Sequence, residues 1–246
     1  MPRRLRSQPT GLIIHVIGRG CRGMPVFGDL TSRSHFLYLL GDAVERFDWQ
    51  ILNWVLMTNH HHLVVQLREP NLAEGMGRIH GLYAQRWNER EKSIGHVWMS
   101  RYKSIPILKE GYAETLMRYV DLNPVRAGIC KHPAAWEWGG YAANVGLRAP
   151  LPFHDAKAGR RVISAGADSY RDFVCDKIPE WAGCGHVDDE RPQLREIIVP
   201  GDSESLDEAM TLWGYSALEI ADIYGVTAPT VRNWRAKGAG PPLFPG

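Results

Sequence analysis

The chain has 246 residues, with 29 Lys and Arg against 27 Asp and Glu, a formal net charge of +2, and 44% hydrophobic residues. That length allows one sizeable core plus a small second module, given domains of about 100–150 residues, and no apolar run approaches the roughly 20 residues of a membrane-spanning helix. No membrane partner is therefore expected, the cytoplasm is the expected compartment, and so balanced a charge means that positive residues matter only where they cluster.

The opening MPRRLRSQPTG carries Arg3, Arg4 and Arg6 and lacks the apolar core of a secretion signal. Leu12 to Gly18 is a branched apolar run, predicted as a strand, with Arg19 and Arg22 in the glycine-rich loop after it. From Thr31 to Phe47 apolar residues recur at helical spacing behind a Thr31/Ser32 cap, which predicts an amphipathic helix. Gln50 to Met57 and His61 to Leu67 read as neighbouring antiparallel strands joined by the polar turn Thr58, Asn59, His60. Leu72 to Arg90 is again helical in spacing despite its glycines. Val97 to Leu108 reads as extended, and Pro106 calls for an edge or a bulge. Gly111 to Leu122 predicts a third helix, which Pro124 should end or distort soon after Asn123.

This order predicts an α+β fold of ferredoxin-like (split βαβ) type, with helices covering an antiparallel sheet, over residues 1–147. Residues 148–202 lose periodicity and gather Pro, Gly, Asp and Arg, as a connector would. Residues 203–238 are expected to form a small all-α module. Within it, Gly214 to Lys237 carries a helix-turn-helix pattern, with Ala221 before the turn residue Gly225 and Ile220, Tyr224, Val226, Val231 and Trp234 at the apolar places. A second helix from Ala228, capped by Thr227, would expose Thr230, Arg232, Asn233 and Arg235 to DNA; a hairpin used only for packing is the other reading. Cys21, Cys130, Cys175 and Cys184 form no CxxC pair and read as free thiols.

Three places carry chemistry. In Asn59-His60-His61-His62 the strand alternation brings His60 and His62 to one face and His61 to the other, so two imidazoles are offered to one divalent ion; a polar strand end would look the same. In RYVDLNPVRAG, Arg118 to Gly128, Tyr119 and Asn123 share a helix face one turn apart, although spacing alone fits an ordinary boundary tyrosine equally well. Trp98, Arg101, Tyr102 and Lys103 combine aromatic faces with cations, as single-stranded nucleic acid needs, or else the two rings belong to the core behind an edge strand.

Taken in order, HVIGRG (His15 to Gly20), LMTNHHHLVV (Leu56 to Val65), YAQRWN (Tyr83 to Asn88), GHVWMSRYKS (Gly95 to Ser104) and RYVDLNPVRAG resemble the IS200/IS605-type tyrosine transposases of the HUH superfamily, and more narrowly the REP-associated tyrosine transposases. The resemblance covers roughly residues 1 to 147. It implies His60 and His62 as ligands of magnesium or manganese, Asn123 as a further metal ligand and Tyr119 as the nucleophile. It implies a DNA nicking and joining enzyme that forms a covalent 5′-phosphotyrosine on single-stranded DNA bearing a palindromic hairpin. Arg3, Arg4, Arg19, Arg101, Tyr102 and Lys103 are the expected contacts to that strand, and the helix-turn-helix would add duplex DNA; the protein is expected as a monomer or a homodimer. His61 departs from the family, which usually has a bulky apolar residue there. A non-catalytic DNA-binding regulator on a vestigial core, and a metal-dependent phosphodiesterase using water, are the competing functions.

Overall fold

In the computed structural model of the protein the described residues are 10–108, 110–163, 166–178 and 217–242, with Ile198, Leu206, Ala209 and Met210. The chain divides into two compact units, Met1–Val187 and Asp188–Gly246.

The first unit opens with β1 (Ile13–Arg19), α1 (Leu30–Phe47), β2 (Trp49–Leu56), β3 (His60–Leu67), α2 (Leu72–Glu91), β4 (Lys103–Pro106) and α3 (Glu110–Arg126). The strands form a four-stranded sheet in the order β2-β3-β1-β4, every neighbouring pair antiparallel. Because β1 and β2 both oppose the β3 between them, they run the same way, and α1 is the crossover that joins them.

Alternation along the strands gives the sheet two different faces. On one, Ile14, Val16, Leu63 and Val65 pack with Phe36 and Leu40 of α1 and Met76, Ile79 and Tyr83 of α2 in a single buried cluster. On the other lies α3, whose Leu116, Met117, Val120 and Leu122 are fully buried. Gly18 marks how closely the first face is packed: a Cβ there would sit 2.4 Å from Nε2 of His61.

Four sequence expectations shift. The cap of α1 is Asp29, whose carboxylate accepts from the Ser32 N–H at 2.8 Å; Thr31 and Ser32 are already helical. The extended stretch from Val97 keeps one bridge, Gly20 to Trp98, but only Lys103–Pro106 enters the ladder, with Pro106 on its edge strand. Helix α3 runs through Pro124 to Arg126, because the Ala127 N–H bonds the Asn123 carbonyl at 3.0 Å and closes the turn beyond the proline. Gly128, at φ +68°, then takes the left-handed conformation that ends it.

The fourth concerns residues 148–178. Segment 138–155 lies along the edge of β2, with the Leu56 N–H bonded to the Trp138 carbonyl, the Gly140 N–H to the Trp54 carbonyl and the Asp155 N–H to the Ile51 carbonyl, each at 2.8–2.9 Å. Three short helices, α4 (Tyr141–Asn144), α5 (Ala156–Val162) and α6 (Ala167–Cys175), accompany it. Helix α6 is tied to α3 by the Arg118 guanidinium, 3.6 Å above the Phe173 ring. What the sequence presents as connector is, over these residues, packing of the first unit.

The second unit contains α7 (Ala217–Tyr224) and α8 (Ala228–Ala236). Ile220, Ala221, Tyr224 and Val231 are buried, and Gly225 turns the chain at φ +62°. Thr227 stands at the N-cap, but its hydroxyl meets that of Thr230 at 2.9 Å instead of a backbone N–H. Among the described residues, no helix is long and apolar enough to cross a membrane.

Candidate active site

His60 opens β3 and is cross-strand from Arg19, while His62 is cross-strand from Ile17. Their rings meet edge to face, centroids 5.0 Å apart. His61 points the other way and is fully buried between Phe36 and His80, its Nε2 3.0 Å from that of His80. His80 thus meets one nitrogen of this imidazole, while its Nδ1 is buried with no hydrogen-bond partner among the described residues.

Each forward-facing histidine is oriented from behind. Nδ1 of His60 lies 2.6 Å from Oδ1 of Asn59, and an amide oxygen there fixes the proton on Nδ1 and leaves Nε2 with a lone pair. That Nε2 is buried and, among the described residues, has no hydrogen-bond partner of good geometry. A buried polar group so left costs about 1–3 kcal/mol, a cost that a metal ligated at Nε2 would remove. Nδ1 of His62 lies 2.8 Å from Nε2 of His15, which leaves its own Nε2 facing Asn123, whose Nδ2 is 3.3 Å away.

Burial, and after it the Arg19 charge, pulls the His60 imidazole down to about 4; the Asn123 amide works weakly the other way. Burial also holds His62 well below its ordinary value, with His15, His60 and Arg126 adding to the effect. Both rings are thus neutral at physiological pH, the form that ligates. Among the described residues no group of three or more His, Cys, Asp or Glu side chains could hold a metal ion. Any ion at this place would take His60 and His62, the Asn123 amide oxygen after a flip, and oxygens from outside the protein.

Tyr119 completes the corner. Its ring stands edge-on to His62 at 5.3 Å and to His15 at 6.1 Å, and the Arg126 guanidinium sits 5.4 Å above it. Helix α3 carries both Tyr119 and Asn123 and is anchored between them. The Asp121 carboxylate accepts from the Asn53 amide at 2.8 Å and the Tyr170 hydroxyl at 2.7 Å, and burial pushes it up to about 7. Tyr119 itself is only 1% exposed.

Of the expected strand contacts, Arg101 and Lys103 are exposed and Arg19 is half-buried at the end of β1. Tyr102 is 5% exposed and edge-on to His80, and Trp98 stacks on His80 at 4.0 Å while donating its N–H to the His80 carbonyl. Of the two readings open for these rings, packing is the one that describes them. Arg3 and Arg4 lie outside the described residues. On α8, Arg232, Asn233 and Arg235 are exposed and Thr230 is half-buried.

Sequence reasoning missed His15, Asn59 and Asp121. Alternation along β1 puts His15, Ile17 and Arg19 on one face, but only the pairing of Ile17 with His62 brings His15 beside that ring. Asp121 needed the contact with Tyr170, which lies in the segment that reads as connector.

Residues 9–123 match the family described as IS200-like transposases. No curated protein matches the sequence. Among solved structures, the REP-associated tyrosine transposase bound to a REP hairpin shares this fold, with a TM-score of 0.50 and 16% identity, over 62% of this chain and 90% of that one. The tRNA(His) guanylyltransferase of Saccharomyces cerevisiae aligns over 77% of this chain and 86% of that one at 9% identity, but its TM-score of 0.37 carries no argument.

Proposed function

We propose, from the match of residues 9–123 to the IS200-like transposases, that the protein is a metal-dependent single-strand DNA endonuclease and strand transferase acting at hairpin-bearing DNA. The observation that carries this reading is the convergence on His62, on β3, of two residues one turn apart on α3: Asn123, at 3.3 Å, and the Tyr119 ring, at 5.3 Å. The strand order β2-β3-β1-β4 supports the ferredoxin-like form of the fold. The related structure was solved with a REP hairpin, and a palindromic hairpin is the substrate proposed for this protein.

His60, His62 and Asn123 would hold magnesium or manganese, which when bound polarises the phosphoryl group and offsets its developing charge. The Tyr119 oxygen attacks phosphorus and the bond to the 3′ oxygen breaks. The phenolic proton is released and the 3′ oxygen gains one, leaving a 5′-phosphotyrosine and a free 3′-hydroxyl. The phosphotyrosine retains the bond energy, so the reverse attack by a 3′-hydroxyl rejoins strands. Arg19, Arg101, Lys103, Arg3 and Arg4 would neutralise phosphates of the strand, and the exposed side chains of α8 would contact duplex DNA as a helix-turn-helix does.

The test is a covalent adduct. The full chain, incubated with manganese and a labelled single-stranded oligonucleotide carrying a hairpin, should yield a labelled protein band that survives denaturation. Tyr119→Phe should abolish that band and leave hairpin binding intact; a persisting band would remove Tyr119 as the nucleophile. The burial of Tyr119 favours as second reading a regulator that binds DNA without cutting it, for which the wild type would bind the hairpin and give no adduct with any divalent ion.

A further inference from the structure

A second feature of the first unit lies apart from His60, His62, Tyr119 and Asn123. Helices α1 and α2 border a half-open cavity of about 170 Å³ lined by Ser32, His35, Tyr83, Arg86, Trp87 and Arg90. That is well under the roughly 300–1,000 Å³ of pockets for drug-sized ligands and suits a single planar ring. The walls are chemically uneven. His35 stacks on Tyr83, centroids 5.9 Å apart and planes 22° apart, and its Nε2 is buried with no hydrogen-bond partner. Burial, and then the Arg86 charge, favours the neutral form of that ring, which can donate or accept a hydrogen bond at a base edge.

The two arginines differ. Arg90 is committed, at 3.0 Å from the Asp29 carboxylate and 2.9 Å from the Ser32 hydroxyl, so the negative charge of Asp29 is already matched. Arg86 meets Glu89 at 3.7 Å, with both side chains more than half exposed; such a surface pair is weak and exchangeable for a phosphate. Aromatic walls, an unsatisfied ring nitrogen and an exchangeable guanidinium together are what one nucleotide of an unpaired strand requires.

The position of the cavity relates it to the histidines. Helices α1 and α2 cover the sheet face opposite His60 and His62, yet the cavity is at the same end of the sheet. The Tyr83 hydroxyl bonds the Val26 carbonyl, the neighbouring Phe27 N–H bonds the Thr58 carbonyl at 2.8 Å, and the Gly20 N–H bonds the Asn59 carbonyl at 2.7 Å. The loop of residues 20–29, with the exposed Arg22, thus bridges the cavity wall and the turn that precedes His60.

We propose that this cavity is a nucleotide subsite, taking one base and its phosphate from the single strand that flanks the hairpin, with Arg86 on the phosphate and Trp87 and His35 against the base. The assignment rests on the DNA-processing function proposed above. It fixes the strand at a point remote from the bond to be cut.

The test uses the full chain and two hairpins, one blunt and one with a 5′ oligothymidine arm of about ten nucleotides, within the range of single-strand sites, in which 5-iododeoxyuridine replaces thymidine. Arg86→Ala should weaken binding of the tailed hairpin about tenfold and lower its salt slope by about 1, without changing blunt-hairpin binding or melting temperature. Irradiation of the wild type should crosslink the arm to Trp87. Binding of the tailed hairpin within twofold of wild type in Arg86→Ala, or crosslinks that all fall outside residues 31–35 and 83–90, overturns the proposal. Adduct formation, scored in the same samples, separates the two readings. Adduct without an Arg86 effect overturns the subsite alone, whereas the Arg86 loss and the crosslink without adduct support the subsite and overturn the tyrosine chemistry.

Discussion

His154 and the three successive histidines are all buried, and each meets the cost of burial by staying neutral. His154 shows the consequence for stability without any involvement in the candidate site. Burial pulls its imidazole down to about 4, only partly opposed by the Leu52 carbonyl, which lies 3.3 Å from its Nε2. Because the folded value lies below the unfolded one of 6.5, the folded state binds fewer protons between the two. The stabilisation is therefore complete above about pH 6.5 and is lost as pH falls through 4. A shift of this size corresponds to roughly 3 kcal/mol. His154→Gln keeps a donor for Leu52 and removes the titration, so denaturant unfolding at pH 7 and pH 4 should differ less in the variant than in the wild type by about that amount. An unchanged pH dependence would mean that His154 is solvated. The same scale shows what strand alternation can reveal. It separates His60 and His62 from His61 with no knowledge of tertiary structure, but the support of His15 behind His62 depends on β1–β3 register, which no local pattern encodes.

At the level of elements, the sheet and its three long helices are legible because each is long enough for its period to repeat. The Asn123–Pro124 step reads as a helix end because a proline lacks the N–H and biases its predecessor; the helix nonetheless continues, with the Ala127 N–H bonded to the Asn123 carbonyl. This continuation matters to the site, since Arg126 on the added turn lies over the Tyr119 ring. Residues 148–178 are illegible for a different reason. Helices of 7 and 9 residues give too few turns for an amphipathic pattern, and the edge contacts of β2 are made by backbone groups that any sequence carries. Gly159 offers a direct test of this packing. A Cβ at that position would come 2.3 Å from the Leu52 carbonyl oxygen, a backbone atom at the bulge between Ile51 and Asn53 that cannot swing aside. Gly159→Ala should cost about 1–3 kcal/mol and lower the melting temperature by several degrees, measured by tryptophan fluorescence. A melting temperature equal to that of the wild type would show that α5 does not seat on β2.

For the whole molecule, a net charge of +2 means that the DNA binding proposed above needs local groups of cations, and each unit carries candidates for one. In the first they are Arg19, Arg101 and Lys103; in the second they are Arg232 and Arg235, exposed on α8. The buried set Ile220, Ala221, Tyr224 and Val231 holds α7 and α8 together by apolar packing, so replacing the outward arginines should leave the pair folded. Each phosphate deprived of its arginine should lower the salt slope of binding by about 1. The Arg232→Ala/Arg235→Ala double variant should therefore bind a duplex bearing the hairpin sequence with a slope lower by about 2, while its adduct yield at saturating single-stranded DNA stays at the wild-type level. That division follows from the tyrosine, both histidines and Asn123 all lying in the first unit. The measurement is anisotropy across a series of salt concentrations, paired with the adduct assay. A slope equal to that of the wild type would assign the helix pair to packing or protein contact, and an absent adduct would make the second unit part of the catalytic machinery.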